Sequence, residues 1–149
     1  METKTIKSLF DACYLAKRVL DLLPALPGEA TASYIRYLDV IETLEAQGVQ
    51  VKISDISDVL NIPRPGVTRT VKEMESNVYL RKEASRQDGR VTYITATPAG
   101  EQLHHRYNEQ YFDDLAAYLK DMPESDAKCA IRTIERFYQV MLERRDSFE

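Results

Sequence analysis

The 149-residue chain has no uninterrupted apolar run near the roughly 18 residues that a membrane-spanning helix needs. Its N-terminus, METKTIKSLFDACYLAKRV, scatters charges through the apolar positions; this excludes a signal-peptide core and predicts a cytoplasmic protein that does not meet a membrane. Cysteine is scarce. Cys13 and Cys129 form neither a Cys-x-x-Cys pair nor a set with histidine, so zinc-ligand spacing is missing. The two histidines, His104 and His105, are adjacent, and on a helix they would point about 100° apart, which excludes chelation of one ion by the pair. There is no Gly-rich phosphate loop, Ser-His-Asp set or cofactor fingerprint. Neither a metal nor a cofactor is therefore expected, and the chain does not read as an enzyme. Positive charge is also short overall: the net charge of −4 argues, taken alone, against a nucleic-acid partner.

What is present is amphipathic periodicity. With 44% hydrophobic residues the chain is long enough for a single packed domain, residues 1–149. Ile6, Leu9, Phe10, Cys13, Ala16, Leu20 and Leu23 recur at three and four residues and predict a helix over Thr5 to Leu23. Pro24 to Gly28 ends it. Thr31 is the expected cap of a second helix, Ala32 to Gln47, and Gly48 stops that helix where a left-handed residue is wanted. Val49 to Ile53 alternates as a short strand would.

The stretch from Ser54 to Thr97 organises the rest. Ser54 is the expected N-cap of a short helix whose Ile56, Val59 and Leu60 share a face. The chain breaks at Asn61-Ile62-Pro63-Arg64-Pro65, and Pro65 suits the first turn of a new helix reaching about Ser76. That helix has Val67, Val71 and Met74 on one side and Arg64, Thr68, Arg69, Lys72 and Glu73 on the other. Tyr79 to Ala84 and Val91 to Thr95 read as strands around Gln87-Asp88-Gly89-Arg90, whose Asp-Gly pair predicts a type I′ hairpin with Arg86 and Arg90 at its tip. Thr97 and Pro98 then open a long helix to about Lys120, with Leu103, Tyr107, Tyr111, Leu115 and Leu119 spaced by four. A final helix, about Asp126 to Arg145, puts Ile131, Ile134, Phe137, Tyr138 and Met141 on one face.

The charge is unevenly spread. Asn61 to Thr95 holds seven basic residues against four acidic ones, a local balance of +3, and leaves −7 for the remainder. A basic helix face beside a basic hairpin fits groove and phosphate contact, although a charged outer face is also the ordinary state of a surface helix.

The order helix, Pro-broken turn, VTRTVKEME, then RKEASRQDGRVTYITATPAGEQL, resembles the MarR family of bacterial transcriptional regulators. The most specific pieces are the wing motif Asp88-Gly89-Arg90 and the helix start Thr97-Pro98-Ala99-Gly100. The resemblance implies a mainly α fold with a small β-hairpin wing (α+β), a winged helix-turn-helix over 31–97, and dimerisation helices over 1–23 and 98–146. Where the family usually has Gly-Leu-Val, this chain has Val78-Tyr79-Leu80, so the helix-ending role is expected of Asn77.

On this basis the expected partners are double-stranded DNA, as an inverted-repeat operator, and a second copy of the chain. Arg64, Pro65, Thr68, Arg69 and Lys72 would meet the major groove, and Arg86, Asp88 and Arg90 would form the wing contact, with the aspartate orienting Arg90 toward the minor groove. The resemblance further implies a repressor relieved by a small aromatic ligand, for which Tyr14, Tyr34, Tyr37, Tyr107 and Tyr111 are candidate linings, although tyrosines at such spacing are more often core. Two alternatives stay open: a peroxide sensor acting through Cys13, and a winged-helix protein-interaction module without DNA binding.

Overall fold

Helix α2 supplies the largest share of the core. In the computed structural model, which describes residues 1–145, α1 (Thr3–Leu20) is followed by α2 (Ala32–Ala46), which buries Tyr34, Tyr37, Leu38, Val40 and Ile41. Against α2 pack α3 (Ile53–Leu60), the hairpin strand β2 (Thr92–Ala96) and α5 (Pro98–His104). Helix α4 (Arg64–Ser76) adds Val67, Val71 and Met74, and the strand β1 (Leu80–Ala84) adds Leu80. Ile56, Val51, Ile94 and Leu103 complete one continuous apolar cluster. The expected α+β class with a two-stranded wing is the fold observed: β1 and β2 pair antiparallel from Leu80↔Ala96 to Ala84↔Thr92.

Several local expectations are corrected. Val49 to Ile53 is not a strand, because Ile53 already begins α3; Val51 adds one sheet-like bond, its carbonyl accepting from Ile94 N–H at 2.8 Å. Helix α3 is capped from Lys52, not Ser54: the Asp55 carboxylate reaches back to accept from the Lys52 N–H at 2.8 Å. Thr31 stands at the N-cap of α2, but its hydroxyl bonds Ser33 Oγ and caps nothing. Helix α1 ends at Leu20 where Leu23 was expected.

The helix expected to run unbroken from Pro98 to Lys120 is three segments: α5, a π-helical stretch over His105–Gln110, and α6 (Tyr111–Tyr118). Four-residue steps drift around a 3.6-residue helix, and a wider i→i+5 turn absorbs that drift. Leu103 and Tyr107 accordingly both reach the core, Leu103 buried and Tyr107 packed at its margin.

By contacts the chain divides into two compact units, residues 1–110 and a second beginning at Tyr111. The second holds α6 and α7 (Glu124–Arg144); position 146, the expected end of the last helix, lies outside the described residues. Neither α1 nor α7 has a buried residue, although both are amphipathic.

Candidate nucleic-acid interface

The turn before α4 is fixed by its own chain. Asn61 adopts a left-handed conformation (φ 52°) and ends α3, and Ser57 Oγ donates to the Ile62 carbonyl at 2.6 Å. Pro63 then caps α4, and Pro65 lies in its first turn, where its missing N–H has no helical partner to lose. Because Val67, Val71 and Met74 point inward, the 3.6-residue period turns Arg64, Pro65, Thr68, Arg69 and Lys72 outward, and all five are exposed.

The wing carries the second group. Arg86, Asp88 and Arg90 are exposed at the hairpin tip. The tip is not the expected type I′ turn, since Gly89 does not have positive φ and the last paired residues are Ala84 and Thr92. Side chains build it instead: Ser85 Oγ accepts from the N–H groups of Gln87 and Asp88, and Asp88 Oδ1 accepts from the Arg90 N–H at 3.0 Å. Asp88 thus orients the backbone that carries Arg90.

Of the seven basic residues in this stretch, Lys82 pairs with Glu75 at 2.8 Å and Arg81 with Glu83 at 3.3 Å. Among the described residues no ion pair involves Arg64, Arg69, Lys72, Arg86 or Arg90. These five cations stay available to an external anion, while the Lys82 pair ties the wing to α4.

The joint between α4 and the wing departs from the sequence expectation. Asn77 is not left-handed (φ −88°); Val78 is, with φ 65°. The Tyr79 N–H bonds the Met74 carbonyl and the Val78 N–H bonds the Glu75 carbonyl, the paired bonds of a Schellman ending with valine at the position that favours glycine. Thr97 Oγ1 donates to the Val78 carbonyl at 2.5 Å and accepts from the Gly100 N–H at 3.2 Å, so the expected cap of α5 also clamps the strained residue. The glycine of Thr97-Pro98-Ala99-Gly100 has a steric reason: a Cβ there would stand 2.2 Å from the Tyr79 carbonyl oxygen. Asn77 Nδ2 donates to Tyr34 Oη at 3.2 Å, fastening the same joint to α2.

The candidate tyrosines lie in different surroundings. Tyr34 and Tyr37 are core residues, Tyr34 packing edge-on against Tyr79 with ring centroids 6.0 Å apart. Tyr107 lies under the Arg106 guanidinium, Tyr14 is exposed on α1, and Tyr111 opens the second unit. Cys13 is half-buried on α1. Two open cavities of about 300 and 420 Å³ lie on the α2–α5 side, and neither is lined by a tyrosine.

Those cavities expose a cluster that the sequence reading missed. His104 is buried, and its Nδ1 lies 2.6 Å from Glu42 Oε2. Its Nε2 lies 3.2 Å from Asp39 Oδ1 and 2.9 Å from Asn108 Nδ2, and Asn108 also donates to Asp39 at 3.1 Å. Glu109, bonded to His105, completes a trio with Glu42 and His104 whose ligand atoms lie within 4.8 Å of one another. The partners of His104 come from α2 and from the far side of the π turn, not from the adjacent histidine.

Residues 29–91 match the model of the MarR family. No curated protein matches the chain in sequence. Solved structures do match in fold. Streptococcus pneumoniae FabT in complex with DNA is 19% identical, with 94% of each chain covered and a TM-score of 0.63. A Staphylococcus aureus MepR–DNA complex is 13% identical, covering 95% of this chain and 99% of that one at 0.67. Streptomyces coelicolor PcaV with its natural ligand is 18% identical, covering 91% and 89% at 0.62. At these identities the likeness establishes the fold. The family match covers the segment that holds α2 to the wing tip.

Proposed function

We propose, from the premise that residues 29–91 are a MarR-family winged helix-turn-helix, that the chain acts as a homodimer that reads an inverted-repeat operator and represses transcription until an effector binds. The family match itself carries the coarser statement, a DNA-binding transcriptional regulator. The observation behind the finer one is the set of five cations, Arg64, Arg69 and Lys72 on α4 with Arg86 and Arg90 on the wing, all exposed and none in an ion pair among the described residues. Arg69 and Lys72 suit guanine edges and phosphates in the major groove, and Arg90, set by Asp88, suits the narrow minor groove.

Two further observations support the dimer. Helix α7 exposes Ile131, Ile134, Tyr138 and Met141 at steps of three and four, and α1 exposes Ile6 and Tyr14, eight residues apart. In a two-fold dimer such faces are buried by the second copy, which sets two recognition helices about 34 Å apart. Effector relief takes the simplest form: a ligand that favours one spacing of the heads over another shifts the population away from the DNA-competent one. No described helix is long and apolar enough to cross a membrane, which accords with a site of action on cytoplasmic DNA.

The test is a salt titration of DNA affinity. Binding is expected to fall steeply with salt, and Arg69→Ala is expected to lower the slope of log K against log salt by about 1. Salt-independent association, or none at low salt, would leave a winged module that binds something other than DNA.

A further inference from the structure

The cluster around His104 has no role in the DNA reading, and its geometry is that of a ligand set. Helix α2 contributes Asp39 and Glu42, and the helical run that begins at Pro98 contributes His104, Asn108 and Glu109. On an α-helix, positions 104 and 109 would point about 140° apart. The π-helical stretch over His105–Gln110 swings Glu109 back onto the His104 side, and π insertions of this kind recur at functional sites. The stretch therefore does two things: it keeps Leu103 and Tyr107 on the core, and it aims a carboxylate at a buried imidazole.

We infer that Glu42, His104 and Glu109 bind one divalent first-row transition-metal ion, with Asp39 as the outer partner of His104. Both ring nitrogens of His104 face carboxylates, Nδ1 toward Glu42 and Nε2 toward Asp39. When Nδ1 ligates the ion, the ring proton resides on Nε2 and Asp39 accepts it, the carboxylate–histidine–metal arrangement that fixes a ligand's tautomer. Asn108 holds that carboxylate through its own 3.1 Å bond.

One imidazole with two carboxylates selects a transition metal over magnesium or calcium, which take oxygen alone. A tetrahedron built on ~2.1 Å bonds has an edge of roughly 3.4 Å; the ligand atoms lie within 4.8 Å of one another, and the His104 Nδ1–Glu42 Oε2 pair, at 2.6 Å, must open to admit the ion. Glu42 and Glu109 are both exposed, so their side chains have room to adjust around the ion. The adjoining cavity of about 300 Å³ leaves room for water to complete the shell, and Glu45 and Glu101 on its lining add negative potential.

The inference concerns ligation alone, goes beyond the proposed DNA reading, and has a readout that does not involve DNA. The full chain, stripped with chelator, is titrated calorimetrically with Zn²⁺, with Mg²⁺ as the control. One Zn²⁺ per chain is expected, with no comparable heat from Mg²⁺. Because His104 is buried and His104→Gln risks the fold, the deciding variants are Glu42→Gln and Glu109→Gln, both at exposed positions, and each is expected to weaken Zn²⁺ at least about ten-fold while leaving the metal-free melting curve in place. His105→Gln, which removes the neighbour of Glu109 without touching His104, is expected to bind as the wild type does. Absence of Zn²⁺ binding, a smaller loss in either glutamate variant, or loss confined to His105→Gln would overturn the assignment.

Discussion

The winged head and the terminal helices are both built from amphipathic sequence, yet their apolar faces differ in burial. In α2, α4 and β1, inward residues such as Ile41, Val71 and Leu80 are buried almost completely. In α1 and α7, residues at the same helical spacing remain half in water, Ile131 at 55% and Ile134 at 50% exposure. Periodicity alone does not bury a face; a second surface must be supplied. The head finds it in the α2–wing sandwich, whereas α1 and α7 present apolar faces of the kind that a second copy covers.

The largest expected effect lies inside the head. Gly100→Ala forces a methyl group to within 2.2 Å of a backbone oxygen that cannot rotate away. It is expected to cost about 3 kcal/mol or more, read as a lower urea midpoint with loss of the wing's contact to α5. An unchanged midpoint would mean that the Tyr79–Gly100 approach relaxes freely.

Next come the terminal helices. Ile134→Asp places a charge on the apolar face of α7, and sedimentation is expected to show a monomer in place of a dimer, with dimer affinity down by about 3 kcal/mol, roughly a hundred-fold. Because the head closes on itself, its circular dichroism should hardly change. A variant that still sediments as the wild type does would move the interface away from α7.

Smaller again is the effect on recognition. Arg90→Ala removes a wing cation without an ion pair among the described residues, and is expected to weaken operator binding by about 2 kcal/mol in a gel-shift titration while the melting temperature stays put. Equal affinity would leave the wing as a solvated hairpin.

The smallest change is a gain. Gly48 and Val78 end their helices with the same pair of backbone bonds, but only the first is glycine, and Val78 sits at φ 65° with 65% of its surface exposed. Val78→Gly gives up little burial and removes the steric cost of a β-branched residue there, so stability is expected to rise by about 1 kcal/mol, or roughly 3 °C in melting temperature. A fall would show that the Thr97 clamp depends on the valine.

These contrasts also mark how far the sequence was legible. Helix faces, the Pro-broken turn, the two-stranded wing and the Thr97 cap all follow from short-range patterns, and the structure has them. The outward set Arg64, Pro65, Thr68, Arg69 and Lys72 follows from one period applied to Val67, Val71 and Met74. Where neighbouring groups compete locally, short-range pattern does not decide the outcome: Asp55, not Ser54, supplies the cap bond of α3, and the left-handed residue is Val78 although asparagine stands next to it. The backbone decides that last case, because the Schellman bonds fix the left-handed residue one place beyond Asn77. The His104 cluster was out of reach for a different reason. Asp39 and His104 are 65 positions apart, and Glu109 joins them only because the helix widens, which a search at 3.6 residues per turn cannot register.

The central claim, that two such heads are held by a two-fold frame and read DNA, is tested most directly by selecting bound sequences from a random DNA pool with the full chain. The expected result is an inverted repeat whose half-sites lie one helical turn apart, about 34 Å from centre to centre. A single unrepeated half-site, or no enrichment at all, would contradict it.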